Sequence, residues 1–437
     1  MVNEIRVPRQ LDSVAPAFDD ERLIANAGVL LPVTLMGRLG TEELVDQSVD
    51  LGERPGAARP GRKACSLIAV MLLGADSIDD TDVLRSGATE RLLGHKAMAP
   101  STLGTFLRSF SFGHVRQLDR VLEKLIKRAW KAGAGPGTER LVIDIDSFIG
   151  PVHGYDKQGA ARGYTKELGY HPLVASRSKR SEVLHLRQRK GSAGSSRGAL
   201  RFAQELIARV RRCGGAGEIL IRADTAFWSN KVCAYLEGKG CRYSIGAPMH
   251  KIVVAAIARI PEEAWQPVVD YPESGVCELA ETTLGDKRLI VRRVHLHAQE
   301  EQTELFTYWR HFAFITNREE EMHLVDREHR QHAEVELVIR DLKDSALAHF
   351  PSGSFAANSA WALIGAIAHN LGCWTNQLGL TGSVHRRSAT LRRRLFAIAG
   401  RLTRSGRRWT LHLPARWPWQ QDFIEALSKI RALPACA

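Results

Sequence analysis

The sequence predicts a mixed α/β protein with an all-helical N-terminal region, a β-rich insertion and a helical, basic C-terminal region, and three observations carry that prediction. Residues 19–131 repeat apolar side chains at helical spacing, with Gly or Pro between segments. After residue 139 the period shortens to two in "RLVIDIDS", "GYHPLVASRS" and "EVLHLRQRK", and a helix in "SRGALRFAQELIARVRR" leads to another strand in "EILIRADT". Strands, helix and strand in that order make a mixed sheet whose early strands are joined by short links.

The helical region divides into "DDERLIANAGVLLPVTLMGRLG", "TEELVDQSVDLG", "RKACSLIAVMLLGAD", "IDDTDVLRSGATERLLG" and "APSTLGTFLRSFSFGHVRQLDRVLEKLIKRAWKAG". Ser101 or Thr102 would cap a short helix bearing Arg108, as in a helix-turn-helix unit, although small helical pairs are common in proteins that bind no DNA. "GAGPG", residues 133–137, reads as a linker. Residues 240–316 return to strand character in "CRYSIGAP", "IVVAAIARI", "CELAETTL", "RLIVRRVHL" and "FAFIT", an insert expected to stand apart from the main sheet. The expected divisions are 1–132 (helical), 138–239 and 323–380 (the α/β unit), 240–322 (insertion) and 381–437 (basic).

The chain has 437 residues, 44% of them hydrophobic, enough for a sizeable core. Its formal net charge of +13 favours a polyanionic partner, nucleic acid or an anionic membrane surface. The longest apolar run, "SAWALIGAIAHNLG", is too short to span a bilayer, and "MVNEIRVPRQ" lacks the apolar core of a signal peptide. The seven cysteines form no CxxC pair, so neither a zinc site nor a disulfide framework is expected. A cytoplasmic, nucleoid-associated protein without membrane contact fits these features.

The strand "LVIDIDSFIG" places Asp144 and Asp146 on one face, with Ile143 and Ile145 on the other. Two adjacent carboxylates call for solvent, a cation or a metal. Asp224 ends the strand "EILIRADT", where open α/β sheets place ligand-binding groups, or else caps the next turn. Residues 326–347 read as one amphipathic helix with Val335, Val338, Ile339, Leu342 and Ala346 inward. His329, His332, Glu336, Arg340 and Lys343 form a stripe at its border. Taken alone, Glu336 and Arg340 are an ordinary i,i+4 ion pair. Together with Asp146 and Asp224, however, Glu336 completes a set of oxygen ligands for two divalent ions, Mg²⁺ or alternatively Mn²⁺, suited to in-line displacement at phosphorus. His329, His332, Arg340 and Lys343 would then contact phosphate.

Eight stretches in consistent order carry a resemblance: "GADSIDDTDVLR", "APSTLGTFLRSF", "LVIDIDS", "GYHPLVAS", "IRADTAFW", "AEVELVIRDLKD", "FAANSAWALIGAIAHNL" and "LRRRLFAIAGRLTRSGRR". Over nearly its whole length the chain resembles the DDE transposases of bacterial insertion sequences, in particular the group numbered 1380. The resemblance implies a ribonuclease-H-like core with a mixed five-stranded sheet, interrupted by the β-rich insertion, and a catalytic triad of Asp146, Asp224 and Glu336. Asp146 is the better first ligand because Ser147 follows it, with Asp144 a neighbouring partner or the alternative first Asp. Related transposases carry Tyr, two residues, Arg, three residues, Glu, six residues, Lys. Here Glu336 and Lys343 match, while His329 and His332 stand at the Tyr and Arg places, where imidazole should hold phosphate less firmly and more pH-dependently. The resemblance also implies cleavage and joining of DNA at inverted-repeat ends, and a synaptic homodimer.

Between Asp344 and Asp422 there is no acidic residue, while Arg392, Arg393, Arg394, Arg401, Arg404, Arg407 and Arg408 gather near Trp409, Trp417 and Trp419, a footprint for double-stranded DNA. Two other functions compete with transposition. A haloacid-dehalogenase-type phosphatase would use Asp144-x-Asp146 as nucleophile and acid, but the later acidic pair that chemistry needs is missing. An inactive transposase-derived regulator would bind DNA without cutting it.

Overall fold

The computed structural model describes residues 14–154, 156–163, 166–194, 196–269, 275–296, 309–382 and 386–436. Parts of the N-terminal region, the insertion and the basic region lie outside those residues. The helical region consists of α1 (Leu30–Arg38), α2 (Thr41–Ser48), α3 (Pro60–Leu72), α4 (Thr89–Leu93), α5 (Pro100–Arg108) and α6 (Phe112–Ala129). Pro60 and Pro100 occupy first turns, where a missing N–H breaks no helical bond. Ser111 caps α6, exchanging hydrogen bonds with His114. Not all of the expected helices form. Leu23–Ile24 is a short strand, and Asp79–Arg85 is a 3₁₀ turn.

The following strands build one nine-stranded sheet: β1 (Leu141–Ser147), β2 (Leu173–Arg177), β3 (Glu182–Arg187), β4 (Ile219–Ala223), β5 (Arg242–Ala247), β6 (Gln266–Pro267), β7 (Gly275–Leu284), β8 (Lys287–Leu296) and β9 (Arg310–Thr316). Their order is β6-β7-β8-β9-β5-β4-β1-β2-β3. β1, β2 and β3 form an antiparallel meander, whereas β4 and β5 run parallel to β1 after crossovers through α7 (Ala199–Cys213) and α8 (Asn230–Gly238). The insertion does not stand apart. β9 pairs antiparallel with β5, so the backbone groups of that edge are satisfied by the inserted strands and the sheet continues through them. β5 itself, expected within the insertion, closes the first five strands. "IVVAAIARI" is a helix, α9 (Lys251–Ile257), with Val253 and Ala256 inward at i and i+3 and Ile252 and Val254 exposed; an apolar run without alternation does not distinguish the two states.

The expected single helix over 326–347 is two, α10 (Met322–Arg330) and α11 (Glu334–Lys343), separated by a 3₁₀ turn over Gln331–Ala333. α12 (Phe355–Gly379) is apolar on nearly all sides and correspondingly buried, packed against α3 and α6. The basic region is less helical than expected. A four-residue α13 (Ser388–Leu391) runs into a wide turn at Arg392–Phe396, and Gly400–Ser405 and Arg408–His412 then form a hairpin with a two-residue loop at Gly406 and Arg407. Gly406 supplies the positive φ of that loop, and Leu402 and Leu411 alternate inward. Leu23–Ile24 adds a third strand, and α14 (Gln420–Ala432) closes the chain against α1 and α12.

Glu182, fully buried at the start of β3, joins the helical region to the sheet. Its carboxylate accepts from Trp130 Nε1 at 2.8 Å and from Trp374 Nε1 at 2.7 Å, with Arg177 3.7 Å away. Burial drives its pKa up, and these three donors hold it back. Replacing it leaves the indole N–H groups without an acceptor and the buried Arg177 guanidinium without its carboxylate, so Glu182→Leu is expected to cost about 3 kcal/mol, read as a lower urea midpoint with an unchanged denaturant slope.

Candidate active site

β1 and β4 lie side by side and in parallel, with Asp144 opposite Arg222. Two residues on, toward the strand ends, Asp146 and Asp224 follow on the same face. The sheet therefore carries two polar rows: a buried row of Ser176, Asp144, Arg222 and Ser244 across β2, β1, β4 and β5, and beyond it the two carboxylates. Asp146 Oδ1 accepts from the Ser147 N–H at 2.6 Å, and Asp224 Oδ1 from the Ala226 N–H at 3.1 Å, so Asp224 caps the 3₁₀ turn Thr225–Phe227 as well as facing the site.

The pKa of Asp146 is pushed up to about 6, first by burial and then by the negative charges of Asp224 and Glu336, against the Ser147 N–H and His332. Asp224 is also raised, chiefly by burial, with the Ala226 N–H, His332 and His171 opposing. His171 Nδ1 donates to the Ala193 carbonyl at 2.6 Å and its Nε2 lies 3.0 Å from Ser147 Oγ. Burial lowers its pKa, so the ring is neutral and fixes the residue that follows Asp146. His171 was not singled out from sequence, because nothing local marks a histidine beside Pro172 as reaching β1.

Of the predicted stripe, the break at Gln331–Ala333 changes the geometry. Glu336 is exposed in the first turn of α11, close enough to raise Asp146 but outside any ready cluster: among the described residues no three His, Cys, Asp or Glu side chains form one. The expected ion pair between Glu336 and Arg340 is absent among the described residues, and Arg340 is exposed. Lys343 Nζ lies 5.3 Å from the centre of the Phe148 ring at the end of β1, with its pKa lowered by burial. His332 Nδ1 lies 3.0 Å from Asp144 Oδ1. His329 does not fit the expected role of phosphate cation. Its ring stacks on Phe314 at 4.1 Å, Nδ1 is engaged by Ser244 Oγ at 2.6 Å, and burial with nearby cations depresses its pKa to about 3, leaving it uncharged at neutral pH.

Asp144 is fully buried, and both of its oxygens accept from Arg222, Nε at 2.7 Å and a terminal nitrogen at 2.8 Å. A carboxylate so held is neither a nucleophile nor an open ligand, which removes the phosphatase that would use Asp144 to attack. Arg222 was missed from sequence, although an arginine inside the apolar run "ILIRA", two residues before Asp224, was the available signal.

The donor set fits a hard divalent cation. It offers carboxylate oxygens on neighbouring strand ends, and Asp146, raised first by burial and then by the charges of Asp224 and Glu336, is an acid whose ionised form a cation would favour. The arginines of the basic region divide. Arg392 is half-buried with a 3.3 Å contact to the Asp344 carbonyl, Arg394 lies 4.9 Å from the Trp419 ring, and Arg401 pairs with Asp20 at 3.2 Å. Arg404 lies 5.3 Å from Trp409, whereas Arg393, Arg407 and Arg408 are exposed and have no carboxylate partner among the described residues.

Asp146 and Asp224 thus stand at the ends of adjacent parallel strands, on a mixed sheet flanked by helices. The chain belongs to the family described as "Transposase DDE domain group 1", whose model matches residues 8–435. It is therefore a transposase of DDE type. No curated protein sequence matches it. Among solved structures it is similar to the piggyBac transposase synaptic complex with hairpin DNA, at 12% identity over 85% of this chain and 80% of that one, with a TM-score of 0.46. Among the described residues no helix is long and apolar enough to cross a membrane.

An acid whose pKa is raised by folding binds more protons native than unfolded, so stability falls as pH rises from the unfolded value near 4 through about 6. Without divalent cation, Asp146→Asn should therefore stabilise the protein at pH 7.5 by about 3 kcal/mol, and the gain should vanish below about pH 4. Mg²⁺ should raise the melting temperature of the wild type more than that of the variant.

Proposed function

We propose that the protein binds the inverted-repeat ends of an insertion sequence of the 1380 group, cuts DNA phosphodiester bonds there and joins the 3′ ends to target DNA. In this reading β3-β2-β1-β4-β5 is a ribonuclease-H-like core, and Asp146, Asp224 and Glu336 hold two Mg²⁺ ions, or Mn²⁺ in their place. The observation that carries it is the pair Asp146 and Asp224, half-buried side by side at the strand ends of a DDE-family chain, with the acid of Asp146 pushed up to about 6. When bound, the ions would lower the pKa of the attacking oxygen and stabilise the leaving one. The chain's own residues would position the reaction: His171 and Ser147 hold the end of β1, Lys343 beside that end would meet the arriving phosphate, His332 holds Asp144 beside the two carboxylates, and α11 carries Glu336 toward Asp146. The exposed arginines of the hairpin and the net charge of +13 support double-stranded DNA as the partner. A homodimer would bring two ends together.

The second reading, a regulator that binds DNA without cutting it, is favoured by one observation, the exposed Glu336 outside a three-ligand cluster. A cleavage assay on DNA carrying the flanking repeats, with Mg²⁺, separates the two. Asp146→Asn, Asp224→Asn and Glu336→Gln should each lower cutting by about 10³-fold or more while leaving DNA affinity within a few-fold. Cutting unchanged in all three would refute the site, and a wild type that binds the ends but never cuts would establish the regulator.

Binding itself has a separate signature. Arg407→Ala with Arg408→Ala should weaken DNA binding at all sequences, and the slope of log affinity against log salt should become shallower by about 2.

A further inference from the structure

The Asp144–Arg222 pair binds neither substrate nor ion in the proposed reaction, yet it lies directly behind the two carboxylates. Arg222 is 1% exposed and Asp144 0%. The guanidinium has two further contacts: a terminal nitrogen 2.9 Å from Ser178 Oγ, and another 2.5 Å from the Glu328 carbonyl near the end of α10. It is thereby fixed against β1, the end of β2 and α10 at once.

We infer that Arg222 is a positioning residue for His332: through Asp144 it fixes the tautomer and orientation of the imidazole, so that Nε2, left as an acceptor, is presented to the attacking water or 3′-hydroxyl beside Asp146 and Asp224. This rests on the phosphodiester reading above. Both Asp144 oxygens already accept from Arg222, so the 3.0 Å contact at Oδ1 requires His332 Nδ1 to be the donor. That leaves Nε2 as the ring's other polar atom, and it has no hydrogen-bond partner among the described residues. His332 sits in the turn Gln331–Ala333, and both flanks of that turn are tied down. Arg222 holds the α10 side through Glu328. On the α11 side, Glu334 accepts from Ser178 Oγ at 2.6 Å and from the Lys179 N–H at 2.8 Å. One guanidinium thus holds the ring and the turn that carries it. His332 acts on both Asp146 and Asp224, pulling each toward ionisation, so the ring lies within their field.

Arg222→Lys keeps the charge and loses the two-point grip, and Asp144→Asn keeps the volume should the lysine variant fold poorly. In single-turnover cleavage of repeat-bearing DNA, each is expected to slow cutting by about 10–100-fold with DNA affinity unchanged, and His332→Ala should show a similar loss. The double variant Arg222→Lys/His332→Ala should be no slower than His332→Ala alone. Multiplying losses would show that Arg222 acts otherwise than through His332 and would overturn the inference. A readout independent of activity is the long-range ¹H–¹⁵N spectrum of labelled histidines at pH 8.5. The wild-type His332 should carry its proton on Nδ1, and Asp144→Asn should shift it toward the usual Nε2-protonated form. A wild-type ring protonated on Nε2 alone would overturn the inference whether or not the protein cuts DNA, whereas a protein with the expected tautomer and no cleavage would refute the proposed function instead.

Discussion

The ion pair between Asp144 and Arg222 is the constraint on which the rest of the site depends. Removing two charges from water is costly, and such a pair is tolerable only with good geometry and with its remaining donors satisfied. Here the parallel register of β1 and β4 places the partners opposite each other, both carboxylate oxygens are used, and the remaining N–H groups of the guanidinium reach Ser178 and the carbonyl of Glu328. The pair therefore locks more than two strands together. It fixes how α10 leaves the sheet, and with Glu334 bound at the β2–β3 turn it fixes where α11 begins.

From that arrangement the functional row follows by strand periodicity. Moving two residues along each strand replaces a satisfied pair of opposite charges by two carboxylates of like charge. The first row is satisfied by itself, whereas in the second burial raises both acids, and like charges raise Asp146 further. Local destabilisation of this kind is expected where a cation or a phosphate is to be bound. Glu336 reaches this row only through the placement of α11, which makes its exposed position depend on the same ion pair.

Much of the core was legible because each signal was local. "LVIDIDS", "GYHPLVAS", "EVLHLR" and "ILIRAD" alternate as strands and were found as β1 to β4, with Asp146 and Asp224 at the ends that periodicity assigned them. What stayed hidden depended on distant partners. A helical wheel drawn through residues 326–347 assumes an unbroken helix, whereas Gln331–Ala333 turn so that His332 meets Asp144. His329 looked like a phosphate ligand by spacing, and only the Phe314 ring and Ser244, both from other strands, make it a neutral interior group. In the hairpin at 400–412 the apolar signal is only Leu402 and Leu411 among many arginines, too sparse to set a strand period. Nor does any local pattern tell an independent insert from one that pairs onto β5.

In the proposed reaction the arginine-rich hairpin and the carboxylate row would divide two tasks, holding a polyanion and acting at one of its phosphates. The central claim is that Asp146 and Asp224, and not Asp144, form the cation site. Anomalous diffraction from crystals soaked in Mn²⁺ tests it most directly. A peak within about 2.5 Å of carboxylate oxygens of Asp146 and Asp224, with Asp144 still held by Arg222, is the predicted result. A peak on Asp144 with the Arg222 pair opened, or ions found only away from β1 and β4, would contradict it.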